Sequence, residues 1–165
     1  MFLSKIDAKY RKLACVAGLI IIIDQITKAV ILSFIPLYRS IAVVPGFFSL
    51  THIQNPGGAF GFMSNQSSSL LNIIFLFVAS LAICLVFYFY INTPKKYNLL
   101  STGFALIFGG AIGNMIDRIR FGKVVDFLDF YIGDFHWPAF NVADSAISVG
   151  IVIFLFHLLF KKMPE

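Results

Sequence analysis

Long apolar runs alternate along the chain with shorter stretches in which polar and apolar residues mix. Four runs, residues 13–34, 70–91, 99–116 and 143–160, reach the roughly 17–25 residues an α-helix needs to cross about 30 Å of hydrocarbon. The pattern predicts four transmembrane helices. The first run follows Lys5, Lys9, Arg11 and Lys12, as a signal sequence would, but it is too long for one and no small-residue cleavage site follows, so it is expected to stay as an anchor. Residues 35–69 and 117–142 form two long connections. In "RSIAVVPGFFSLTHIQNPGGAFGFM", β-branched and aromatic residues partly alternate between Pro and Gly punctuation, which predicts short strands joined by turns, a small sheet on the membrane surface. The second connection interleaves Phe127, Phe130, Tyr131, Phe135, Trp137 and Phe140 with acidic residues, a pattern suited to the headgroup level.

Composition agrees. Hydrophobic residues make up 59% and charged residues 13%, against about 45–50% and about 25% in soluble domains. The expected fold class is an α-helical membrane protein, residues 1–165 forming a single membrane domain. Charge sets the orientation. The termini and the "TPKKYN" turn hold eight basic residues (Lys5, Lys9, Arg11, Lys12, Lys95, Lys96, Lys161, Lys162), and the long connections hold four (Arg39, Arg118, Arg120, Lys123). That asymmetry predicts both termini in the cytoplasm and the long connections outside. The net charge of +5 therefore serves lipid headgroups, and no nucleic-acid partner is expected. Cys15 and Cys84 lie in apolar runs without metal-ligand spacing and are expected to be small core residues.

Candidate chemistry lies with the carboxylates. Of eight acidic residues, five are aspartates between positions 117 and 144. Asn114, Asp117 and Arg118, at i, i+3 and i+4, share one face at the end of the third helix, either as a polar cap or as groups orienting a neighbouring site. Ala105, Gly109 and Gly113 form a small-residue stripe suited to close helix contact. Asp24 and Lys28, mid-span at i, i+4, are expected to form a structural ion pair. In "KVVDFLDF", Asp126 and Asp129 have apolar neighbours, and burial lets a carboxyl hold its proton towards neutral pH. Asp144 opens the fourth run, either as a helix cap or as half of a functional pair. Two carboxyls close together share one proton; such a pair can activate water and protonate a leaving amine. Asp126 and Asp144, on different elements, suit that chemistry, with Asp129 an alternative member. Other chemistries lack their motifs. His52, His136 and His157 show no zinc spacing, Ser145 and Ser148 have no adjacent base, and "NPGGAFG" lacks the lysine of a phosphate loop. A small proton-coupled transporter, relaying protons through acids such as Asp24, is the alternative class.

"DQITK", "NPGGAFG", "GGAIGNMIDR", "KVVDFLDF" and "FNVADS" occur in the order seen in lipoprotein signal peptidases, and the chain resembles that family over residues 24–145. The resemblance implies an aspartic endopeptidase of the bacterial cytoplasmic membrane, with four transmembrane helices and a small extracytoplasmic β-sheet cradle. Such enzymes cleave prolipoproteins before a diacylglyceryl-modified cysteine. It implies Asp126 and Asp144 as the catalytic pair near the outer face, with Asn55, Gly57, Asn114, Asp117, Arg118 and Asn141 lining or bracing the cleft. It further implies no metal or organic cofactor, contact with membrane lipids, and inhibition by the cyclic peptide globomycin. A monomer is expected.

Overall fold

The computed structural model describes residues 8–57 and 69–160. Residues 58–61 of the NPGGAFG motif and the terminal Lys5, Lys161 and Lys162 lie outside the described residues. The four runs become helices α1 (Ala8–Phe34), α2 (Ser69–Asn92), α3 (Asn98–Phe121) and α4 (Val142–Phe160), each long and apolar enough to cross a membrane. Between α1 and α2 lie strands β1 (Ser40–Val44) and β2 (Phe48–Asn55); between α3 and α4 lie β3 (Val124–Ile132) and β4 (Phe135–His136). The strands form one antiparallel sheet in the order β1-β2-β3-β4.

Helix α3 is the centre, packing against each of the other three. Small residues make this possible. A Cβ on Gly109 would lie 2.8 Å from the Ala17 Cα of α1, and one on Gly110 would collide with the Ala143 carbonyl of α4. Helix association in lipid depends on such close approach, since apolar burial alone gives no preference for protein over lipid. The outward sides of the helices are correspondingly apolar, with Ile22, Ile26, Phe77, Leu81, Val152 and Leu159 exposed to the lipid region. Cys15 and Cys84 belong to this exposed set, not to the core as expected, because a thiol is apolar enough to face lipid.

Two sequence expectations change. The third helix continues to Phe121, so Asp117 and Arg118 lie within α3 and not in the connection. They are buried and turned inward towards partners, which removes the cost that would otherwise stop a membrane helix at a charge. Gly122, at φ +69°, then ends α3 with its N–H bonded 3.0 Å to the Arg118 carbonyl. The second correction is β3: the connection read as an aromatic stretch at the headgroup level contains a nine-residue strand, and its Phe127 is buried in a core. Val124, Val125, Asp126 and Phe127 are all buried, so the strand lacks the alternation that marks a half-exposed one.

At the sheet end, Ile31 of α1 and Ile35 just beyond it pack with Val125 and Phe127 of β3, and partly buried Val142 joins them. This small core fixes the sheet over the ends of α1 and α4. The β1–β2 turn is tight: Phe47 N–H bonds to the Val44 carbonyl at 3.0 Å, with Pro45 followed by Gly46 at φ +80°, the residue order of a type II turn. Further along, the register shifts: Leu50 faces Leu128 but Ile53 faces Asp126. A bulge of one residue on β2 therefore lies beside Asp126, where bulges commonly redirect a side chain. At the opposite end of the bundle, Lys9 Nζ donates to the Ile91 and Thr93 carbonyls at 2.7 and 2.6 Å, neutralising the C-terminal end of α2.

Candidate active site

Asp126 enters from β3 and Asp144 from the first turn of α4, and Asn141 joins them. Its side-chain Nδ2 donates to Asp126 Oδ1 at 2.8 Å, and its backbone N–H donates to Asp144 Oδ2 at 3.3 Å. Asn141 Oδ1 in return accepts the Asp144 N–H at 2.9 Å. The reciprocal pair is a capping box, with Asn141 as the N-cap of α4 and Asp144 three residues on. The helix start thus positions one carboxylate and reaches the other.

The remaining carboxylate oxygens are also claimed by amides. Asn114 Nδ2 donates to Asp144 Oδ1 at 2.8 Å, and Asn55 Nδ2 donates to Asp126 Oδ2 at 3.1 Å. Neither amide can turn round without loss. Lys28 Nζ, which can only donate, holds Asn114 Oδ1 at 3.0 Å, and the Gly57 N–H holds Asn55 Oδ1 at 2.9 Å. All four carboxylate oxygens therefore accept a hydrogen bond. Burial raises the Asp126 carboxyl to about 7; the Asp144 charge pushes the same way, against the opposing hydrogen bonds of Asn55 and Asn141 and the Lys28 charge.

Beneath the pair lies a buried ionic cluster. Lys28 Nζ stands 2.9 Å from Asp24 Oδ2 and 2.9 Å from Asp117 Oδ2. Asp24 Oδ1 accepts the Ala143 N–H of α4 at 3.0 Å, and Asp117 Oδ2 accepts the Val125 N–H of β3 at 3.1 Å. The cluster therefore grips both elements that carry the paired aspartates. The Asp24–Lys28 pair expected from sequence forms, but at the level of the first turn of α4 and with a second acid attached. Gln25 closes the network, its Nε2 reaching Asp117 Oδ1 at 3.0 Å and the Gly113 carbonyl at 3.2 Å. Sequence reading gave Gln25 no role; its place beside Asp24 in "DQITK" was the available signal.

Arg118 donates through Nη2 to the Gly57 carbonyl and lies 4.6 Å over the Phe75 ring, while its buried Nη1 has no hydrogen-bond partner among the described residues. Asp129 lies apart from the pair; it faces Ser49 across the sheet, 2.9 Å from His136 Nδ1. His52 Nδ1 meets the Ile35 carbonyl at 2.7 Å beneath the sheet.

Buried Asp126 and half-buried Asp144, joined through Asn141 at one end of a four-span bundle, define a membrane protein with a cluster of acids and amides where its helices meet its sheet. A protein-family model described as signal peptidase (SPase) II matches residues 16–160. The lipoprotein signal peptidase of Desulforapulum autotrophicum is 52% identical over 93% of this chain and 95% of its own length. That of Syntrophus aciditrophicus is 42% identical over 90% and 92%. A bacterial membrane enzyme solved by the in meso method shares the fold with a TM-score of 0.78 at 31% identity, covering 91% of this chain and 94% of that one. The chain belongs to the signal peptidase II family. It is a membrane protease of the multi-pass type, residing in the bacterial inner membrane.

Proposed function

We propose that this chain is an aspartic endopeptidase that removes the signal peptide of prolipoproteins, cutting before the diacylglyceryl-modified cysteine, with Asp126 and Asp144 as its catalytic pair. The observation that carries the reading is Asn141 binding both carboxylates while Asn55 and Asn114 occupy their other oxygens. Every such contact donates into the carboxylates and favours the anion, while burial of Asp126 and the nearby Asp144 charge oppose a second ionisation, so the pair shares a single proton. The pair titrates as a unit, and attack proceeds from the form with the proton on Asp126. Asp144 takes a proton from water as its oxygen attacks the scissile carbonyl carbon, and Asp126 protonates the carbonyl oxygen. As the resulting diol collapses, Asp144 gives its proton to the leaving amine, the C–N bond breaks, and a diol hydroxyl returns its proton to Asp126 as the new carbonyl forms, so the pair again holds one proton. Arg118 Nη1, buried without a hydrogen-bond partner among the described residues, is a donor available to a substrate carbonyl. Asn55, Gly57, Asn114 and Asp117 hold the pair in register, and Asp24 with Lys28 braces it from below.

The substrate assignment rests on the relatives' name and on lipid physics. A diacyl group buries its methylenes in the bilayer at about 0.8 kcal/mol each, so the bond beside it stays near the membrane surface. A catalyst on the end of a membrane bundle meets it there. The basic-residue asymmetry favours that end as the outer one. A transporter relay fits less well, because Asp24 is saturated by Lys28, Gln25 and Ala143.

A fluorogenic peptide bearing a diacylated cysteine tests the proposal. Asp126→Asn and Asp144→Asn are each expected to lower turnover by about 10²–10⁴-fold with the protein still folded. Turnover by either variant close to that of the unmodified protein removes that residue from the pair, and equal cleavage of a peptide with an unmodified cysteine removes the lipid requirement.

A further inference from the structure

The two turns at the far end of the sheet lie side by side, since Phe48 faces Phe130 and the Tyr131 N–H bonds to the Phe47 carbonyl at 2.9 Å. Together they present Val44, Phe47, Ile132, Phe135 and Trp137, between 48% and 74% exposed. An exposed apolar cluster of this kind is unusual on a surface facing only water. It lies six residues beyond Asp126 on β3, roughly 20 Å away by strand geometry.

We propose that this rim is a second membrane anchor, seated at the headgroup–acyl boundary of the leaflet at the sheet end. Three observations select lipid as its occupant. The 19 residues of α4 span roughly 28 Å, about the hydrocarbon thickness, so Val142 marks the boundary plane. Trp137 is five residues from that plane, within its reach. Phe34 at the end of α1 and Ile119 near the end of α3, 76% and 68% exposed, continue the lipid-facing surface up to the sheet. Trp and Phe are residues that favour this depth. Asp134, between Ile132 and Phe135, is itself exposed and can stay on the aqueous side. The sheet then lies flat across the surface, held by the bundle near Asp126 and by lipid at its other end.

Trp137 is the only tryptophan in the chain, so the native protein carries its own probe. In bilayers of phosphatidylcholine brominated near the headgroup end of the acyl chain, its emission should be roughly halved, with weaker quenching when bromine lies near the methyl end and little from aqueous iodide. Strong iodide quenching without bromolipid quenching would mean the sheet stands in water. Protection from both quenchers would mean that protein, such as a second copy, covers the rim. Either result overturns the proposal. Ile132→Asp with Phe135→Asp should cut the bromolipid quenching at least about twofold while cleavage in detergent persists, since neither residue touches the proposed pair. Unchanged quenching in that variant would also overturn it.

Discussion

Replacing Asp126 by Asn should reverse the order of stability between variant and native protein as pH rises. The Asp126 carboxyl holds its proton up to about pH 7 in the fold, against 3.8 for an unperturbed Asp. Between those values the folded chain keeps a proton that the unfolded chain has lost, so this group's contribution to stability is present at low pH and is lost as pH rises through the folded value. Three units correspond to about 4 kcal/mol, and sharing the proton with Asp144 lowers this to about 2–4 kcal/mol. Asn cannot ionise and escapes that loss. It brings a cost of its own at every pH, because Asn55 and Asn141 both present N–H groups to position 126, and one now meets another NH₂; an unmet buried donor costs about 1–3 kcal/mol. The variant should therefore be the less stable near pH 4 and equal or superior near pH 8. Unfolding in mixed SDS micelles, followed by circular dichroism across that range, measures both curves. The difference, native minus variant, should fall by about 2–4 kcal/mol. A difference that stays flat or rises would show that Asp126 ionises like a surface acid, and the electrostatic account of the pair would fail.

Gly110→Ala sets a methyl group against the Ala143 carbonyl and the Ile147 side chain; it should cost about 1–3 kcal/mol and lower turnover about tenfold or more by shifting the first turn of α4, read by thermal denaturation and peptide cleavage together. Lys28→Met leaves Asp24 and Asp117 buried without their cation and should destabilise by about 3–5 kcal/mol, with Asp117→Asn in the same chain recovering part of the loss in a double-mutant cycle. Asn141→Asp keeps an acceptor for the Asp144 N–H but removes the donor to Asp126 and Val125; turnover should fall by more than about 10²-fold while helical content, read by circular dichroism, changes little.

The four helices were legible because a lipid-spanning segment must be both long and apolar, and few other segments are. Their ends were less so. The third run seemed to stop at Ile116 because Asp117 follows, yet that acid is 1% exposed and answered by Lys28, a partner 89 positions away in sequence. The β1–β2 hairpin announced itself through Pro45 and Gly46, whereas β3 did not, since its buried first half shows no alternation. The same limit applies to the site. Asp126 and Asp144 stood out by their apolar settings and their motifs, and the structure brings both to Asn141. What could not be read from local sequence was which amide faces which oxygen. That depends on Lys28 approaching Asn114 from another helix, and on the Gly57 N–H folding back on Asn55.

The bond from Ala143 to Asp24 joins the first membrane span to the last across 119 positions. During synthesis α1 enters the bilayer long before α4 exists, and until then the grip that sets the opening turn of α4 has nothing to hold. A nascent chain with three spans inserted lacks Asp144 altogether. On the proposed assignment of Asp126 and Asp144, the protease stays inert throughout its own manufacture, and activity becomes a property only of molecules whose insertion has finished.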